Sequence, residues 1–110
     1  MNRSIGKHQY VDIHTHQSGG QGNVWSLRSL RYQELGDVGR EKDACYSVGI
    51  HPWDIEGLTN PELAVREIQS SLQQPSVIAV GEVGLDKNIS TSMDQQSSML
   101  ERHIKLAEIN

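Results

Sequence analysis

The run Val77-Ile78-Ala79-Val80, apolar at every position, constrains the fold more than any other stretch of this sequence. A strand that rests one face on a core and shows the other to water alternates apolar and polar residues. One that is apolar throughout fits a strand buried on both faces, as in a parallel sheet covered by helices. Gln74-Pro75 stands just before the run and ends any helix that precedes it, because proline lacks the donor and restricts its predecessor. Further upstream, Asn60-Pro61 sets a helix start, with Asn as cap and Pro in the first turn. Val65, Ile68 and Leu72 then recur at helical spacing and give that helix one apolar stripe.

The remaining elements extend this alternation. Residues 44–50 read as a strand, stopped by His51-Pro52. Tyr10-Val11-Asp12-Ile13 reads as a short strand, followed by a turn-rich stretch at 18–22. Residues 24–32 are read as a second strand, and 36–43, polar and glycine-containing, as a connection. Ser92-Met93-Asp94-Gln95 matches the Ser-x-x-Gln capping box of a last helix, whose expected buried face is Leu100, Ile104 and Ala107. Strand, strand, strand, helix, strand, helix is an α/β pattern and implies parallel strands with right-handed crossovers.

Composition narrows the class. A chain of 110 residues makes one small domain. A net charge of −4 argues against the broad basic grip of a phosphate-backbone binder, although bound divalent metals supply positive charge locally. The single Cys45 cannot form an internal disulfide, which suits a reducing compartment. The segment after Met1, as far as His8, has no apolar core of signal-peptide length. No apolar run approaches the roughly 20 residues that span a bilayer. The expectation is a soluble, cytoplasmic chain with no membrane partner. With no Phe and 35% hydrophobic residues, it is lean for a free-standing domain.

The chemistry concentrates at predicted strand ends. In Asp12-Ile13-His14-Thr15-His16, residues two apart share a strand face, so His14 and His16 point the same way. Two imidazoles one pleat apart reach a common cation; the alternative is a pair of polar caps beside a loop. Glu82 follows the apolar strand, between Gly81 and Gly84, where a carboxylate is costly unless paired or ligating. The alternative is a solvated loop Glu. His51 and Trp53 end another strand, placed for a substrate phosphate and a base or pocket wall, or else as surface residue and packing anchor. His8 and His103 read as uninvolved, Cys45 as small and buried, and Arg28 and Arg31 as a solvated face. That His14, His16, His51 and Glu82 all fall at the C-terminal ends of strands matters, because α/β barrels build their active sites there.

Taken in order, Asp12-Ile13-His14-Thr15-His16, Gly49-Ile50-His51-Pro52-Trp53 and Gly81-Glu82-Val83-Gly84-Leu85-Asp86 resemble the signatures of the TatD family of metal-dependent hydrolases. The stretch from Gln96 to Glu108 resembles the helix after the third signature. The resemblance implies a TIM-like barrel, two divalent metals (Mg, Mn or Zn), and hydrolysis of phosphodiesters, often in DNA. It implies that His14 and His16 ligate one metal, and that Glu82 is a catalytic carboxylate bridging towards the second. The Gly81–Asp86 signature disfavours other His-x-His barrel hydrolases.

That family draws further ligands, two His and an Asp, from later strands, and none follows here before Asn110. The expected fold is therefore the first half of a TIM-like (β/α) barrel over residues 1–110, with parallel strands, covering helices and open sheet edges prone to self-association. Two functions follow as expectations. One is a metal-dependent hydrolase acting on DNA or another phosphate ester in the complete form. The other is a non-catalytic remnant, or a half-barrel that pairs with another chain.

Overall fold

The computed structural model of the protein describes residues 10–19 and 22–110. His8, the segment after Met1, and Gly20 and Gln21 in the expected turn lie outside the described residues. Four parallel strands form one sheet in the order β1 (Tyr10–Thr15), β2 (Val24–Arg31), β3 (Cys45–Gly49) and β4 (Val77–Val80). Helix α1 (Pro61–Ser71) joins β3 to β4, and helix α2 (Met93–Ile109) follows β4. Two short 3-10 segments, Tyr32–Asp37 and Pro52–Asp54, follow β2 and β3. This is an α/β architecture, a partial TIM-like barrel in which sequential strands are spatial neighbours.

The caps form as the sequence leads one to expect. The Asn60 side-chain oxygen accepts the N–H of Leu63 at 3.1 Å, and Ser92 Oγ accepts that of Gln95 at 3.1 Å. The core lies between the sheet and the helices. Leu30, Tyr46, Val48, Ile50 and Val77 meet Ala64, Val65 and Ile68 of α1 and Met99 and Leu106 of α2. Each large side chain there contributes about 1.5–3 kcal/mol by leaving water.

Two expectations about burial fail. Val77 is buried, but Ile78 in the same strand is 50% exposed, so β4 is covered on one face only. Half a barrel has no opposite wall to cover the other. On α2 the buried residues are Gln96, Met99, His103 and Leu106, while Ile104 and Ala107 are exposed and Leu100 is half-buried. The apolar stripe yields to a face with two polar members, because both find complete hydrogen bonding inside, which removes the usual cost of burying them.

The two ends of the sheet differ in cover. Neither the described part of 16–23 nor 32–44 contains an α-helix, so among the described residues β1 has no helix of its own. Val11 and Ile13 consequently stand in solvent, Ile13 at 73% exposure.

Candidate functional site

His14 sits on β1 and His16 just beyond its end, with their rings edge-on at 4.9 Å and 89°. Pairing with β2 shifts register between Asp12 and Thr15. Asp12 stays apart from the pair, its carboxylate accepting the backbone N–H of His14 at 3.1 Å. His16 Nδ1 lies 3.1 Å from the carbonyl oxygen of Ser29 on β2. A carbonyl only accepts, so Nδ1 carries the proton and the Nε2 lone pair is left facing outward from that bond, the usual arrangement for a ligating imidazole.

Glu82 is brought in by the way the tips of β3 and β4 pack. A Cβ on Gly49 would lie 2.8 Å from the Glu82 carbonyl oxygen and 2.8 Å from the Gly81 carbonyl carbon, so only glycine permits this approach. The Gly81–Glu82 peptide is cis. The carboxylate then divides between two sets of partners. Oε1 is 3.3 Å from His14 Nε2 and 3.8 Å from His16 Nε2, and Oε2 is 3.2 Å from His51 Nε2. One ligand atom each from His14, His16 and Glu82 fall within 4.8 Å of one another. In neutral His16 the exposed nitrogen is an acceptor, as is the carboxylate it faces. Two acceptors pointed together need a proton or a cation between them, and a His₂-carboxylate set suits a divalent ion. The residues present therefore fit a metal.

His51 has the opposite tautomer. Its Nδ1 accepts the N–H of Trp53 at 3.1 Å, so its proton sits on Nε2, towards Glu82. Trp53 is exposed, edge-on to the His51 ring at 4.9 Å, and its Nε1–H donates to Asp86 Oδ2 at 2.8 Å. That bond, with a second from the Asn88 N–H at 2.9 Å, holds the Asp86 carboxyl below its ordinary range. His51, Trp53, Glu82, Leu85 and Asp86 line a hollow of 340 Å³ beside the cluster. A larger hollow of 510 Å³, between the loop at Ile55–Leu58 and α2, contains none of these residues.

Four residues in or beside this arrangement escaped the sequence reading. Arg31, taken for a solvated residue, makes a bidentate pair with Asp54 and ties the tip of β2 to the segment after His51. Burial pushes the Asp54 carboxyl up, but the hydrogen bonds from Arg31 and Gln33 prevail and hold it low. The same bond with Asp54 raises the Arg31 pKa. Arg28 likewise pairs with Asp37 at 3.2 Å and is largely buried. His103, read as uninvolved, and Gln96 are both buried polar residues of α2. Their signal was spacing: with Met99 and Leu106 they fall at 96, 99, 103 and 106, one helical face.

Parallel strands whose C-terminal tips gather imidazoles and a carboxylate define a barrel-type protein with its polar cluster where such folds carry their sites. The chain belongs to the family of TatD-related DNases, whose model matches residues 11–110. That family consists of hydrolases that generally use divalent metals. No curated protein matches the chain. Among the described residues, no helix is long and apolar enough to cross a membrane.

Proposed function

We propose that His14, His16 and Glu82 hold a divalent cation (Mg, Mn or Zn) and that the protein hydrolyses phosphodiester bonds of DNA. The observation that carries this is the convergence of His14 and His16 Nε2 on one oxygen of Glu82, at 3.3 and 3.8 Å. A cation there supplies Lewis acidity to a phosphoryl oxygen and to the attacking water. Ser29 fixes the ligating tautomer of His16 through its carbonyl. Glu82 keeps its second oxygen 3.2 Å from His51 Nε2, and this Nε2–H can pass from the carboxylate to a phosphate once substrate enters. Trp53 offers an exposed indole face beside the hollow, suited to stacking on a base.

The test is calorimetric titration with Mn²⁺ and Zn²⁺ beside cleavage of single-stranded DNA. The expectation is one high-affinity site and metal-dependent cleavage, both abolished in His14→Ala and Glu82→Ala. Metal binding that survives both substitutions overturns the assignment.

A second reading rests on the apolar residues that the sheet leaves uncovered. Ile13 and Ile78 are 73% and 50% exposed, which favours a half-barrel that completes itself against another chain, including a second copy. In that case cleavage rises with the fraction of dimer measured by sedimentation.

A further inference from the structure

Helix α2 reaches the site region through two buried polar side chains. Gln96 is 1% exposed; its Oε1 accepts the N–H of Asp86 at 2.7 Å, and its Nε2 donates to the carbonyls of Asp86 at 3.1 Å and Thr91 at 2.8 Å. Seven residues further on, His103 is fully buried. Its Nε2 accepts the N–H of Ile50 at 2.9 Å, and its Nδ1–H donates to the Met99 carbonyl at 2.8 Å. Polar groups at this depth are costly unless fully paired, and these are paired to backbone of other segments at the points that matter. Ile50 immediately precedes His51. Asp86 carries the carboxylate that receives the Trp53 indole.

We propose that Gln96 and His103 are positioning residues, which from α2 fix the two loops bearing His51, Trp53 and Asp86 and so build the substrate wall beside the His14, His16 and Glu82 cluster. Two helical turns, a rise of about 10.5 Å, separate the clamps along a stiff rod. The rod sets one loop against the other. Neither residue touches reacting atoms. An apolar side chain of similar size at either position fills the same volume but strands a backbone N–H, the part-buried one of Asp86 in one case and the buried one of Ile50 in the other. The meaning of the wall rests on the proposed hydrolase reading; the geometry of the clamps does not.

The experiment follows the Trp53 indole N–H by NMR in the intact chain, with Trp53→Phe to distinguish its resonance from that of Trp25. Gln96→Leu should move this resonance and speed its hydrogen exchange about tenfold or more, while Mn²⁺ affinity stays within about threefold, since orienting partners act on the group they hold. His103→Leu should broaden the His51 amide, and His103→Gln, which keeps an acceptor for the Ile50 N–H, should restore it. Met99→Ala, a core change on the same helix face, is the control and should leave both resonances in place. If Met99→Ala reproduces these changes, or Gln96→Leu leaves Trp53 undisturbed, the clamps are ordinary packing and the proposal is overturned. DNA cleavage by the unmodified chain is read separately. Its absence removes the hydrolase reading, and the resonances still decide the clamps. Where cleavage is present, Gln96→Leu should raise KM about tenfold or more with little change in kcat, as expected when a binding wall rather than a reacting group is lost.

Discussion

The site is assembled from two halves that are built differently. Around β3 and β4, helices α1 and α2 cover the sheet and bury Tyr46, Val48, Ile50 and Ile68 to 0% exposure. Around β1 no helix among the described residues lies over the strand, and Tyr10, Val11 and Ile13 are exposed. Yet the cluster takes two imidazoles from the poorly covered half and its carboxylate from the well-covered one. The halves are held in register by the β1–β2 and β2–β3 ladders, helped by the His16 bond to Ser29 and the Arg31–Asp54 pair. Stability and chemistry are thus unevenly shared, and a cation bound across the boundary would add stability by mass action, because only the folded chain presents the whole set.

The largest effect that sharpens this contrast belongs to the covered half. Ile68 is fully buried between α1 and the sheet. Ile68→Ala should cost about 2–5 kcal/mol by urea denaturation, from lost transfer energy and the cavity left behind. A cost below about 1 kcal/mol would mean that the helix-covered core is not where the stability resides.

Next comes the junction itself. Gly49→Ala forces a Cβ against the Glu82 carbonyl oxygen and the Gly81 carbonyl carbon, both backbone atoms with little room to yield. Overpacking of this kind costs about 1–3 kcal/mol. Displacing the carboxylate from His14 and His16 should also weaken divalent-metal affinity about 10- to 100-fold in calorimetry. Unchanged affinity would show that the close approach of the β3 and β4 tips does not set the position of Glu82.

The third effect is in pH. Burial lowers the His103 pKa from 6.5, a hydrogen bond to the Met99 carbonyl opposes this, and Arg102 adds to the lowering. The unfolded chain therefore binds a proton that the native one refuses. Stability contributed this way is present above about pH 6.5 and is lost as pH falls below it, by up to about 1.4 kcal/mol per pH unit. His103→Gln should flatten the curve relative to the unmodified protein, and equal slopes in the two would remove His103 as the cause.

How far these features were legible in the sequence depends on how local their causes are. Asn60-Pro61, the Ser92 cap and the stripe Val65, Ile68, Leu72 are each written within about two turns of helix, and α1 formed as they require. The four strands and their α/β order were legible for the same reason. The meeting of His14, His16 and Glu82 was anticipated only from strand ends and a resemblance, because nothing local says how close residues 68 positions apart will come. The face of α2 was misread: Leu100, Ile104 and Ala107 look like a core stripe, but Gln96 and His103 find partners on Asp86, Thr91 and Ile50 that are distant in sequence. Arg31 was misread likewise, since its partner Asp54 lies across the tip of β3. The two-sided burial expected of Val77–Val80 needs an opposing wall, which four strands do not supply.

The smallest expected effect is the most direct test of the contrast between halves. Ile13 has the same side chain as Ile68 but is 73% exposed on β1. Ile13→Thr keeps a β-branched residue, so strand preference is held nearly constant and solvation of the side chain is what changes. In a dilute monomer the substitution should shift stability by no more than about 0.5 kcal/mol, as at an ordinary surface position. The same measurement repeated at rising protein concentration separates two accounts of the uncovered strand. If the cost stays near zero, β1 stands in solvent. If it grows with concentration towards the cost of a buried deletion, a second chain lies over Ile13, and the weakly covered half acquires its cover only on association.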